Sequence, residues 1–270
     1  MGSTIASDDE NQSLTISEFN RLLQCCAKYK QHSLKTSRDD HIPLLISGCQ
    51  TPSIVLLGDS MIERMQTTRT TPGLHSWPSE TFLDDASLKN LTLTSGAEIE
   101  RLQGVLNAGV GGDKYENILY RLLGDPARQL RGLTDVLSQN NITLWVIHAG
   151  TNNLRSKRGL SDESVDLMRL LLQAVLRISK PGTNILVTGL FYRTDILDRL
   201  VSDANAKLKL LVRSMNGRSE KKRIVFVPPP TSVGGEHLED HVHLNTEGYR
   251  LWIEYLLPKV SSHSRSILEN

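Results

Sequence analysis

Five short runs of nearly continuous apolar residues constrain this chain most. They lie at Ser53 to Leu57, Gly104 to Asn107, Thr143 to His148, Asn184 to Leu190 and Arg223 to Val227, with polar or helix-like segments between them. A strand that is apolar on both sides must be covered on both sides, a demand met by parallel sheets wrapped in helices. Apolar residues recur at three- and four-residue steps over Tyr115 to Leu123, Asp162 to Ser179 and Ile196 to Met215, which predicts helices there. A last helix is expected over Thr246 to Leu257, ending before Pro258. This alternation predicts an α/β fold, a three-layer doubly wound domain with a five-stranded parallel sheet. In such sheets ligands bind beyond the carboxyl ends of the strands, so chemistry is sought there.

Ahead of the first run, Thr15-Ile16-Ser17-Glu18 reads as a capping box, and Ile16, Phe19, Leu22, Leu23 and Cys26 follow helical spacing, so an amphipathic helix should run to about Lys30. Gln31 to Ser47, charged and containing Pro43, reads as a surface connection. The segment from Gln66 to Ala97 breaks the rhythm and contains Trp77, Pro78 and Phe82; it reads either as a lid or pocket wall, or as a surface insertion with a small core of its own. The expected division is an extension over 1–48, a main domain over 49–262 and a tail over 263–270.

The 270 residues suffice for one domain with a full core. Lys and Arg total 31 against 30 for Asp and Glu, so no global field favours nucleic acid or an anionic membrane. Cys25, Cys26 and Cys49 have neither metal-ligand spacing nor the density of a disulfide scaffold, which suits a reducing compartment. Met1 to Gln12 is polar, and no apolar run is long enough to cross a bilayer. Ala6 stands where N-myristoylation after Gly2 needs Ser or Thr. The Asn-x-Ser/Thr matches at Asn11, Asn90 and Asn141 then read as chance. A soluble, cytoplasmic protein without a stable membrane anchor is expected.

Four of the five strand ends carry reactive or ligand-facing groups. Gly58-Asp59-Ser60 sets a hydroxyl at a strand-to-helix turn, where Ser60 is placed as a nucleophile unless it or Asp59 merely caps the helix. Asn107 to Asp113 contains Gly109, Gly111 and Gly112, whose backbone can approach a ligand with its amides outward; an ordinary tight turn is the alternative. The same stretch fails the dinucleotide fingerprint because Lys114 occupies the last glycine's place, and no phosphate-loop Gly-Lys follows. Gly150-Thr151-Asn152-Asn153 offers the Asn152 amide as an uncharged oxyanion donor, or as a turn or cap residue. Asp240-His241-Val242-His243 lets a carboxylate meet the second imidazole, giving a base with its tautomer fixed. His237, His241 and His243 read alternatively as a metal cluster, but no further ligand set completes it. His148, inside an apolar strand, reads as a hydrogen-bonded core histidine.

In this order the four blocks resemble the signature blocks of SGNH (GDSL-type) hydrolases, a family of flavodoxin-like fold, over about Ser53 to Pro258. Gly-Gly-Asp after the second strand and Gly-Thr-Asn-Asn after the third are most similar to the catalytic subunits of intracellular platelet-activating-factor acetylhydrolase. The resemblance implies Ser60 as nucleophile, His243 as general base, Asp240 as its orienting partner, and an oxyanion hole formed by the Ser60 and Gly112 amides with the Asn152 side chain. It implies hydrolysis of a carboxylic ester, short in its acyl part, with no cofactor and no metal. Carbohydrate deacetylation, thioester hydrolysis and lysophospholipid hydrolysis fit the same residues, as does a non-catalytic binding protein that retains the fold. The substrate is read as a small-molecule or lipid ester, and homo-oligomer formation is left open.

Overall fold

The computed structural model describes residues 14–47, 51–65, 74–93, 96–217 and 222–265. Gly2, Ala6, Asn11, Cys49, positions 66–73 and 94–95 of the irregular segment, and the tail from 266 onward lie outside them.

Helix α1 (Ile16–Cys26) begins with the expected capping box, Thr15 accepting from the Glu18 amide while Glu18 accepts from the Thr15 amide. It stops four residues short of the expected end. The stretch after it is helical rather than a surface connection: α2 (Gln31–Thr36), a π-helical turn (Ser37–His41) and α3 (Ile42–Ile46) follow without a break. Pro43 gives the stretch the look of a connection in the sequence. It sits at the second residue of α3, and the wider turn before it, with the Ile42 amide bonded to the Ser37 carbonyl, lets the helix pass through a residue that has no N–H. Leu34, Ile42 and Leu45 are buried by this arrangement.

The core elements are β1 (Ile54–Gly58), α4 (Ser60–Glu63), β2 (His75–Trp77), α5 (Asp85–Lys89), β3 (Leu102–Gly109), α6 (Tyr115–Leu123), a small hairpin of β4 (Gly124–Asp125) and β5 (Leu130–Arg131), α7 (Leu133–Leu137), β6 (Leu144–His148), α8 (Asp162–Ile178), β7 (Asn184–Thr188), α9 (Asp198–Asn216), β8 (Ile224–Val227) and α10 (Thr246–Arg265). The five predicted strands are all present and parallel, but the sheet has six, in the order β2-β3-β1-β6-β7-β8. The sixth, β2, adds an antiparallel edge beside β3 and is only three residues long, too short for any periodicity to reveal it. Helix α10 also continues through Pro258 instead of stopping before it. Leu256, Leu257, Val260 and Ser261 stay buried across the proline, so packing on the sheet outweighs one missing helical hydrogen bond.

Side chains alternate across the sheet into two cores. Val55, Leu57, Leu106, Ala108, Trp145, Ile147, Ile185 and Val187 pack with α1, α6, α8 and α9 on one face. Ile54, Leu56, Val105, Leu144, Val146 and Leu186 pack with α4 and α10 on the other. Trp77, Phe82, Leu83 and Leu88 join that second core, so the described part of the irregular segment completes a layer rather than holding a core of its own. No helix among the described residues is long and apolar enough to cross a membrane.

The β1-to-α4 turn is the tightest point. A Cβ on Gly58 would run into the His148 carbonyl of the neighbouring strand and into Ile62. Asp59 caps α4 by accepting from the Met61 amide at 3.0 Å, yet it is fully buried. Burial, reinforced by the nearby Asp113 carboxylate, outweighs that hydrogen bond and pushes its pKa up from 3.8 to about 7.

Substitutions at this turn test both points. Gly58→Ala should lower unfolding free energy in urea by about 2–3 kcal/mol through overpacking, and unchanged stability would contradict the packing. Because folded Asp59 holds its proton more tightly than the unfolded chain, its stabilising share is complete below about pH 4 and disappears as pH rises to about 7. The stability of Asp59→Asn relative to wild type should therefore climb between those limits and level off above them. A difference independent of pH would refute the buried neutral carboxyl.

Candidate active site

Register brings the reactive turns together. Gly58 pairs with Gly109 on one side and with His148 on the other, so the turns carrying Ser60, Gly112 and Asn152 leave three adjacent strands at one end of the sheet. Each turn is then fixed by its own bonds. Val110 donates its amide to the Gly58 carbonyl at 3.1 Å. The buried Asn107 side chain donates to the Ile62 carbonyl at 2.7 Å and accepts from the Gly109 amide at 2.9 Å, tying the end of β3 to α4.

The fourth block arrives from after β8. His243 Nε2 lies 2.9 Å from Ser60 Oγ, and His243 Nδ1 lies 2.7 Å from Asp240 Oδ2. The other Asp240 oxygen accepts from the Val242 amide at 2.7 Å and the His243 amide at 2.8 Å, a short loop that three-residue spacing permits. Partial burial alone would raise the Asp240 pKa, but hydrogen bonds from the His243 amide and ring and the Val242 amide hold the carboxyl well below its usual range. The loop is pinned from outside by Arg64 to Glu239 at 3.1 Å and by the Thr194 amide to the His241 carbonyl at 3.1 Å. A carboxylate that takes Nδ1–H leaves Nε2 as an acceptor aimed at a hydroxyl, which is the chemistry of proton abstraction from serine.

Gly112 takes a left-handed φ of +71°, the conformation that turns an amide outward at little cost only in glycine. The Asn152 side chain donates to the Asp113 carbonyl at 3.0 Å, so it spans the two turns and retains a second N–H on the same nitrogen. Its neighbour Asn153 accepts from the Tyr115 amide at 3.0 Å and donates to Glu116 at 3.1 Å, locking the same pair of turns.

His148 is the core histidine expected from its strand. It meets Thr188 Oγ1 at 2.8 Å, and burial pushes its pKa down to about 3. His237 accepts from the Gly234 amide, and among the described residues no group of three or more His, Cys, Asp or Glu could hold a metal. After the strand ends that carry Asn152 and Thr188, Leu154 and Phe191 are buried, Phe191 packing edge-on against Trp252, while Tyr192 is exposed. Beside the Asn152 turn opens a groove of about 750 Å³ lined by Ser156, Arg193, Thr194, Ile196, Leu197 and Arg199. Arg193 joins it to the site by donating to the Thr151 carbonyl at 2.8 Å.

The sequence reading missed the pair beneath the site. Asp113 and Arg121 are both fully buried and bond at 2.8 Å, and Arg121 also donates to the Ala108 and Gly58 carbonyls. The signal was there: Asp113, Asn117 and Arg121 recur at four-residue steps leading into and along a mostly apolar helix.

Residues 56–251, well over half of the chain, match the model of the GDSL-like lipase/acylhydrolase family. No curated protein matches. Among solved structures, a Streptococcus pneumonia protein named after platelet activating factor is 16% identical, with a TM-score of 0.55 and coverage of 90% of this chain and 98% of its own. An acetyl esterase mutant, solved with an acetate ion, is 16% identical, with a TM-score of 0.54 and coverage of 80% and 99%. A carbohydrate esterase family 3 protein from Talaromyces cellulolyticus is 15% identical, with a TM-score of 0.51 and coverage of 79% and 98%. At these identities the structures speak to the fold, and the family match speaks to the chain: it belongs to the GDSL-like lipase/acylhydrolase family and is a serine hydrolase acting on ester bonds.

Proposed function

We propose that the chain hydrolyses short-acyl carboxylic esters through a Ser60-His243-Asp240 triad and an acyl-enzyme. The observation that carries this reading is the continuous contact of hydroxyl, imidazole and carboxylate, at 2.9 Å and 2.7 Å. Ser60 Oγ attacks the ester carbonyl as His243 Nε2 takes its proton, and the carbonyl oxygen becomes an oxyanion held by the Ser60 and Gly112 amides and Asn152 Nδ2. Collapse of the tetrahedral species breaks the bond to the alcohol, which leaves with the proton from His243. Water, deprotonated by the same ring, then attacks the acyl-enzyme and releases the acid. Asp240, ionised across the working range, keeps the ring in the required tautomer and stabilises the imidazolium.

A chain-length series of p-nitrophenyl esters tests the reading. Acetate and propionate esters should turn over fastest, with Ser60→Ala near background and Asn152→Ala slower by about 100- to 1000-fold in kcat. Full activity in Ser60→Ala, or a preference for long acyl chains, would overturn it.

A further inference from the structure

The segment before the first strand contacts the loop that carries Gly112, and it lies before the matched residues 56–251. Lys30 Nζ donates to the Gly111 carbonyl at 2.6 Å and lies 3.4 Å from Asp113 Oδ1. Ser33 Oγ, fully buried, donates to the same Asp113 oxygen at 2.5 Å. Nearby, the Lys28 amide donates to the Glu116 carbonyl at 2.9 Å, and Asn117 Nδ2 donates to the Lys28 carbonyl at 3.0 Å. The ammonium lies so close over Gly112 that a Cβ there would approach Nζ to 2.9 Å. Thus both faces of the Gly111-Gly112-Asp113 turn are held: Asn152 bonds the Asp113 carbonyl from the strand side, and Lys30 and Ser33 hold it from the leading segment.

We infer that Lys30 is a positioning residue for the oxyanion hole. The peptide group joining Gly111 to Gly112 contains both the carbonyl that Lys30 binds and the amide assigned to the oxyanion. Because that peptide group is planar, fixing its oxygen fixes the direction of its N–H. The Asp113 amide closes the turn on the Val110 carbonyl at 3.1 Å, a bond that leaves the central peptide between Gly111 and left-handed Gly112 able to flip, so the ammonium supplies the orientation that neither the turn bond nor glycine sterics fix. Ser33 and Arg121 divide the two Asp113 oxygens between them, which keeps the far end of the turn in place while Lys30 sets the near end. Lys30 touches neither the ester nor Ser60 in this account. It acts through the Gly112 amide.

The inference rests on the serine-esterase reading, and the experiment separates the two. Steady-state hydrolysis of p-nitrophenyl acetate is measured on the full chain for wild type, Lys30→Met, Lys30→Gln and Lys30→Arg, with melting temperature recorded for each. Lys30→Met should lose about 10- to 100-fold in kcat, the scale expected when a catalytic group is displaced by about 1 Å, with KM changed less than about 3-fold. Lys30→Arg, which can still donate to the Gly111 carbonyl, should recover most of the loss, and Lys30→Gln should fall between. The Gly112 amide resonance should shift in Lys30→Met and return in Lys30→Arg. Wild-type kcat in both Lys30→Met and Lys30→Gln would overturn the positioning role while leaving the esterase reading intact, as would a loss that Lys30→Arg fails to restore. A wild-type chain that hydrolyses no ester would overturn both. Should Lys30→Met not fold, the comparison of Lys30→Gln with Lys30→Arg decides the same question.

Discussion

A guanidinium with no exposure to solvent holds the working end of the sheet. Arg121 reaches from α6 to the carbonyls of Gly58 and Ala108 at the ends of β1 and β3, and to the Asp113 carboxylate in the turn after β3. The Gly58 carbonyl already accepts from the Val110 amide, so the guanidinium adds a second, charged donor at the point where the strands part into their turns. A buried ion pair is a poor source of net stability, but removing one member leaves an uncompensated charge and costs about 3–5 kcal/mol. The pair therefore fixes one arrangement of the Ser60 and Gly112 turns and penalises the others. Everything assigned to the oxyanion site rests on that arrangement.

Against this rigid floor, the His243 loop is held by lighter means. Its contacts to the rest of the chain include a partly exposed ion pair between Arg64 and Glu239 and a backbone bond from Thr194. Within the loop, Asp240 uses both oxygens, one for two amides and one for the imidazole. The carboxylate thus organises the loop and orients the imidazole with the same charge. Residues 183 positions apart meet because α10 packs Tyr249, Trp252 and Ile253 onto the face from which Met61 and Ile62 project.

Strands buried on both faces announced themselves as apolar runs, and the four blocks at their ends were legible because glycine, serine, asparagine and histidine stand out at strand termini. Three kinds of feature were hidden. Strand β2 is three residues long and gains its identity from pairing with β3, which no local pattern encodes. Helix α3 and the end of α10 were masked by Pro43 and Pro258, since tertiary burial of Leu45 and Val260 decides their conformation against local propensity. The contacts of Lys30 and Ser33 with the Gly111 turn span about eighty positions, and an ordinary lysine in a polar stretch carries no mark of its partner.

The proposed chemistry depends on the His243 ring activating the Ser60 hydroxyl. Reaction of the folded chain with a fluorophosphonate, followed by peptide mass spectrometry, measures this directly. A single adduct on Ser60 is expected, forming far more slowly in His243→Ala at unchanged fold. An unmodified Ser60 in folded wild-type protein, or equal labelling rates with and without the imidazole, would contradict it.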